Sequence, residues 1–194
     1  MTADWFTHPL PHGLDETSRE ADFWPTPRHA IESLLDSDPP PTQHPVLEPC
    51  AGDGAIVKVL LERSYEVFAL EIREEEIAGL NKLCTAINSD FLTWEPGSAD
   101  GLHSVITNPP FSLARQFARQ ALEITIPGDR YVALLLRCNV LGSGPWAHFW
   151  NEHPPSKLRP LKRRPSFSGD GKTDGAEYLW VIWDQGPPID LRVI

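Results

Sequence analysis

No apolar run in this 194-residue chain is long enough to cross a bilayer. The longest, near 132–136 and 179–183, fall far short of the roughly 20 residues a spanning helix requires. A charged-then-apolar leader is missing at the N-terminus, so no secretory signal is expected; the expected location is cytoplasmic, with no membrane partner. Cysteine is scarce. Cys50, Cys84 and Cys138 are an odd number at wide spacings with no CxxC pair. That pattern supports neither a disulfide framework nor a zinc site, and we expect reduced, mostly buried thiols and no metal. Basic charge is short as well: 17 Lys and Arg stand against 27 Asp and Glu, a formal net charge of −10. Phosphate contacts need cations, so the balance counts against strong non-specific binding of nucleic acid.

The cations present are unevenly placed. Lys157, Arg159, Lys162, Arg163 and Arg164 fall within eight residues with no acid among them. A local basic edge can grip a polynucleotide backbone on an otherwise acidic protein, or protect a solvated strand edge. The length suits a single core, hence a single domain.

Along the chain, 1–22 shows no period and several breakers, which reads as an irregular arm. From Asp22 the pattern tightens through Trp24-Pro25-Thr26-Pro27, with Thr26 expected as N-cap and Pro27 as the first residue of a helix burying Ile31, Leu34 and Leu35. A strand at Val46-Leu47 runs into Glu48-Pro49-Cys50-Ala51-Gly52-Asp53-Gly54, followed by a helix with Ile56/Leu60 and Val57/Leu61 at spacing four. A second strand ends on Glu71. A helix with Ile77, Leu80 and Cys84 inward leads to a third strand near Ala86-Ile87, closing on Asp90-Phe91. A strand at 105–107 precedes Asn108-Pro109-Pro110-Phe111, and a helix is expected from Ser112. Then come a buried strand over 131–136, a short helix over 145–150, and antiparallel strands over 158–164 and 178–183 around a glycine-rich loop. Strand-helix alternation of this kind predicts an α/β, doubly wound, mostly parallel sheet. Its ligands bind beyond the carboxyl ends of the strands, where Gly52, Gly54, Glu71, Asp90 and Asn108 all fall.

An Asn between a strand and two prolines is a stiff turn. Proline pushes Asn108 toward extended geometry, and two donors are lost. It offers acceptors, the Asn108 side-chain oxygen and the Pro109 carbonyl, beside the Phe111 ring. That set suits a flat substrate carrying an NH2 group, and an ordinary strand-to-helix turn is the competing reading. The glycine turn is shorter than a pyrophosphate fingerprint, and Glu71 at the end of the second strand suits the two hydroxyls of a ribose.

Taken in order, Glu48-Pro49-x-x-Gly52-x-Gly54, Glu71, Asp90-Phe91 and Asn108-Pro109-Pro110-Phe111 resemble the class I S-adenosylmethionine-dependent methyltransferases that act on amino groups. Trp24-Pro25-Thr26-Pro27 resembles the element that cups the methionine end of the cofactor in DNA N6-adenine methyltransferases. Arg164-Pro165-Ser166-Phe167 with Gly171-Lys172-Thr173-Asp174 resembles small phage-type members of that group. The resemblance implies a Rossmann-like methyltransferase domain over 23–186, between the arm at 1–22 and a tail at 187–194, with a seven-stranded, mostly parallel sheet and an antiparallel C-terminal hairpin strand. It implies cofactor contacts from Trp24, Thr26, Pro27, Glu48, Pro49, Gly52, Gly54, Glu71, Asp90 and Phe91. Glu48 would favour the ammonium, Glu71 the ribose and Asp90 the adenine amino group. The site at Asn108, Pro109, Pro110 and Phe111 would methylate N6 of an adenine turned out of a DNA duplex or carried on a single strand. Lys157, Arg159, Arg163, Arg164 and Lys172 would hold the backbone. Alternatives are a guanine amino group in RNA, a protein glutamine amide, or a cofactor-binding module without catalysis. No large target-recognition region is evident, so specificity is short and loose or comes from a partner.

Overall fold

The computed structural model describes residues 25–96, 104–167, 174–191 and 193. Trp24 and Lys172, with the whole arm at 1–22 and most of the glycine-rich loop, lie outside the described residues. The chain runs α1 (Arg28–Ser37), β1 (Val46–Glu48), α2 (Ala55–Glu62), β2 (Val67–Glu71), α3 (Glu74–Leu80), β3 (Thr85–Asn88), β4 (Ser104–Thr107), a 3-10 turn (Phe111–Leu113), α4 (Ala114–Ile124), β5 (Tyr131–Arg137), a second 3-10 turn (Cys138–Gly142), α5 (Gly144–Glu152), β6 (Lys157–Pro160) and β7 (Tyr178–Trp183).

The strands form one seven-stranded sheet ordered β3-β2-β1-β4-β5-β7-β6. The first five pair in parallel, and β7 runs antiparallel to both β5 and β6. Apolar faces on both sides explain the continuous Tyr131–Arg137 pattern. Tyr131, Ala133 and Leu135 enter one core cluster with Ile31, Val57, Leu60 and Trp180. Val132, Leu134 and Leu136 enter the other with Leu47, Phe117, Phe149 and Trp150. A parallel sheet covered on both faces is expected to read this way. The large indoles keep their N–H groups satisfied: Trp180 donates to the Ala30 carbonyl, Trp150 to Val140 and Trp183 to His153.

Local details depart from the sequence reading. Pro27, not Thr26, is the N-cap of α1, and no side chain caps that helix. The Thr26 hydroxyl therefore stays out of the helix and on the wall of the cleft described below. The two prolines delay α4, which opens at Ala114 after a 3-10 turn closed by Leu113 N–H to the Pro110 carbonyl at 2.9 Å. Strand β6 covers four residues rather than the expected seven; it ends at Pro160, and one further bond to β7 follows, from Leu161 N–H to the Tyr178 carbonyl at 2.8 Å. The 187–191 segment lies against the domain, with Ile189 N–H donating to the Pro155 carbonyl and Leu191 packed on the second cluster.

Candidate active site

Glu48, Glu71, Asp90 and Asn108 converge because β1 to β4 are parallel neighbours that end together. Register puts Glu48 beside Ala69, two residues short of Glu71, and Glu71 beside Asn88, two residues short of Asp90. Their ends wall a cleft of 330 Å³ that also takes in Thr26, Pro49, Phe91, Pro110 and Phe117. That volume sits at the low end of small-ligand sites, about 300–1,000 Å³.

Glu48 is fully buried. Its Oε1 accepts from the Thr107 hydroxyl at 2.6 Å and from the Cys50 N–H at 3.0 Å, while Oε2 is buried with no hydrogen-bond partner among the described residues. Burial dominates over those two hydrogen bonds and pushes its pKa up to about 8. A buried carboxyl with an unused oxygen on a cleft wall is a receptor for a cation or a donor.

Glu71 is 3% exposed and already well engaged. Its Oε2 accepts from Gly52 N–H at 2.7 Å, and its Oε1 accepts from Arg73 N–H at 2.9 Å and Arg73 Nε–H at 3.1 Å. A carboxylate offers about four acceptor positions, so one remains until the Arg73 side chain gives way. Asp90 accepts from Leu92 N–H at 3.0 Å, and Phe91 is anchored on Phe117 with ring centres 5.1 Å apart.

The two glycines act through the backbone. Gly52 has φ +55° and Gly54 φ +81°. The φ of Gly54 lies in the left-handed region that favours glycine, and a Cβ there would also fall 3.0 Å from Leu83 Cδ1 and 3.2 Å from Leu80 Cδ2, which would have to give way. Neither glycine lines the cleft; nor do Pro27, Pro109 and Phe111.

Pro109 is buried and Phe111 is half-buried. The Phe111 ring meets Tyr178 at 5.6 Å and Phe167 edge-on at 6.1 Å, and the Arg137 guanidinium carbon lies 4.1 Å over its centre. Arg137 lies one residue past the strand expected over 131–136, and the sequence reading assigns it no role. A lone cation directly after six apolar residues was the available signal. Thr107 and Arg73, the partners of the two acids, were missed as well.

The basic segment divides. Lys162, Arg163 and Arg164 are exposed past the end of β6, on the side where Leu161 N–H bonds the Tyr178 carbonyl. Arg164 pairs with Glu177. Lys157 and Arg159 are engaged in ion pairs within the fold. Arg159 donates to both oxygens of Asp38 at 2.7 and 3.0 Å, and Lys157 bridges Asp38 at 3.1 Å and Asp184 at 2.6 Å. Antiparallel pairing puts Lys157 opposite Ile182, at the amino edge of the parallel strands and away from the cleft.

No family model matches the chain. Over 85 residues, 42% of its length, it is 33% identical to the mycinamicin-resistance protein MyrB of Micromonospora griseorubida; the match spans 27% of MyrB, about a quarter of that relative's length. Among solved structures, 86% of the chain superposes on 71% of the 23S rRNA methyltransferase ErmE with a TM-score of 0.62 at 17% identity. It covers 98% of an RNA methyltransferase from Salinibacter ruber in complex with S-adenosyl-L-homocysteine (86% of this chain, TM-score 0.57, 16% identity). It covers 45% of the type I restriction-modification methyltransferase subunit from Streptococcus thermophilus (84% of this chain, TM-score 0.64, 13% identity). The fold is that of the Rossmann-like methyltransferases. Identities this low carry the fold and nothing finer.

Proposed function

We propose that the chain transfers a methyl group from S-adenosylmethionine to the exocyclic N6 amino group of adenine in DNA. The observation that carries the reading is the meeting, at one sheet edge, of the Asn108-Pro109-Pro110-Phe111 turn and a cleft walled by three acids from three successive strands. The acids fit the cofactor's polar groups. The unused Oε2 of Glu48 suits an ammonium, Glu71 a ribose hydroxyl and Asp90 an adenine amino group, with Phe91 and Thr26 completing the wall. When bound there, S-adenosylmethionine supplies an electrophilic methyl group on a sulfonium.

The chain's own residues then have a modest task. An adenine amino group is a poor nucleophile because its lone pair is delocalised into the ring. Asn108 Oδ1 and the Pro109 carbonyl accept its two hydrogens, tilt the nitrogen toward sp3 and localise the lone pair. Pro109 and Pro110 keep those acceptors from relaxing, and Phe111 stacks on the base, which leaves its duplex to arrive there. This is catalysis by position and electrostatics: the nitrogen–methyl bond would form as the methyl–sulfur bond breaks to leave a thioether, and the cationic nitrogen, strongly acidic, would lose its proton to water with no strong base required. Arg163 and Arg164, with Lys172, supply the backbone contacts. Lys157 and Arg159 belong to the fold instead.

The test is tritium transfer from labelled cofactor to plasmid DNA from a methylation-deficient host and, in parallel, to ribosomal RNA, followed by chromatography of the nucleosides. Label in N6-methyladenine of DNA supports the reading. Label in RNA adenine alone would replace DNA with RNA as the polymer. Label in neither sinks both.

A further inference from the structure

Arg137 ends β5 after six buried residues, and its guanidinium has three partners. Nε donates to the Tyr178 hydroxyl at 3.0 Å, NH2 lies 3.4 Å from Asp174 Oδ2, and Cζ sits 4.1 Å over the Phe111 ring centre. The first two partners are themselves joined, since the Tyr178 hydroxyl donates to Asp174 Oδ2 at 2.5 Å. Buried Phe167 closes the group, 5.2 Å from the Tyr178 ring and edge-on to Phe111. A structural ion pair needs only a carboxylate. Here Asp174 and Tyr178 hold the cation by its nitrogens and leave its flat face on the aromatic residue of the Asn-Pro-Pro-Phe turn, a geometry open to a planar guanidinium and closed to an ammonium. One face of Phe111 is thereby capped, and the contacts from Tyr178 and Phe167 restrict its rotation. Stacking a base on the other face gains from a plate already in place, because no side-chain freedom is then lost on binding.

We propose that Arg137 is the positioning residue of the base site. Held by Asp174 and Tyr178, it braces the Phe111 ring from behind and fixes the surface on which the target adenine stacks. This rests on the function proposed above, and the experiment separates the two. Wild type, Arg137→Met, Arg137→Lys, Asp174→Asn and, as a charge-matched control, Arg119→Ala are compared in methyl transfer to plasmid DNA. They are also compared for binding to a fluorescent oligo(dA) and to the same oligomer with abasic sites. Arg137→Met is expected to lower kcat/KM for DNA about tenfold and to erase most of the preference for oligo(dA) over the abasic strand. Its KM for S-adenosylmethionine and its melting temperature stay at wild-type values. Lysine does not rescue the loss, Asp174→Asn moves the same way by less, and Arg119→Ala leaves the adenine preference intact.

The inference is overturned if both Arg137 variants keep the adenine preference. A loss shared equally by cofactor affinity and melting temperature also overturns it, since the role would then be structural. So does tighter binding of oligo(dA) by Arg137→Met, which would make the arginine an obstacle in the base site. A wild type that methylates neither DNA nor RNA removes the proposed function and this inference together; an active wild type with unaffected variants removes this inference alone.

Discussion

At the scale of single residues the proposed site separates into groups that would hold the cofactor and acceptors that would meet the amino nitrogen. In that proposal Asn108→Ala removes an acceptor that matters only as the amino nitrogen changes geometry. Turnover is therefore expected to fall by about a hundredfold or more while cofactor affinity stays near wild type, a split readable by single-turnover kinetics beside titration calorimetry. Glu48 yields a sharper test. Burial raises its pKa to about 8, so in the free protein its carboxyl is largely protonated at neutral pH. For such a raised acid the stabilising contribution is full below the unfolded value near 4.5 and is lost as pH rises through about 8. A cation placed beside Oε2 favours the carboxylate, so cofactor binding near pH 7 should expel about one proton. Calorimetry in buffers of different ionisation enthalpy measures that number directly. Glu48→Gln should bind more weakly and expel none; equal proton release from both proteins would remove the ammonium from this carboxyl.

At the scale of elements, the strands that carry the site were legible because each is a short apolar run closed by a polar residue: Val67–Glu71 by Glu71, and Ser104–Thr107 by the following Asn108. Contacts made far along the chain were not. Asp38 lies 121 residues from Arg159, and nothing local to either shows that they meet. Yet that contact ties three elements together. Asp38 closes α1, its carboxylate takes Arg159 and Lys157 from β6, and its carbonyl accepts from the Tyr131 hydroxyl at the start of β5. Burial alone would raise the Asp38 pKa, but the hydrogen bonds from Arg159 and Lys157 outweigh it and hold the group down at about 2. A depressed acid stabilises the fold above its unfolded pKa, near 3.8, and loses that contribution as pH falls through about 2. Asp38→Asn should therefore cost about 2 kcal/mol in urea unfolding at pH 7, with the gap from wild type closing between about pH 4 and pH 2. A gap that stays constant across that window would assign the loss to packing and not to charge. The same contact explains why the cations of β6, read as a nucleic-acid grip from their spacing, belong to the fold.

At the scale of the whole molecule, the proposed function asks an acidic chain to hold an acidic polymer with few cations. The net charge is −10; Lys157 and Arg159 are engaged with Asp38 toward the amino edge of the sheet, and Lys162, Arg163 and Arg164 are exposed past the end of β6. That group follows the end of β6 and leads, through Pro165 and Ser166, to Phe167 against the Phe111 ring, so its charge sits beside the turn that would receive the base. Two or three phosphate contacts give a log–log salt dependence of binding with a slope of about −2 to −3, far shallower than that of a strongly basic DNA-binding protein. Arg163→Ala should flatten the slope by about one unit and weaken binding to oligomers of different sequence by similar factors, because a phosphate contact carries no sequence information. Arg164→Ala should do less, since Glu177 already holds that guanidinium. Arg159→Ala should lower the melting temperature and leave the slope where it was. Fluorescence anisotropy across a salt series, with thermal melts of the same samples, measures all three. If Arg159→Ala flattened the slope and Arg163→Ala did not, the polymer would run along the amino edge of the sheet, and the catalytic reading of the Asn108 turn would lose its substrate.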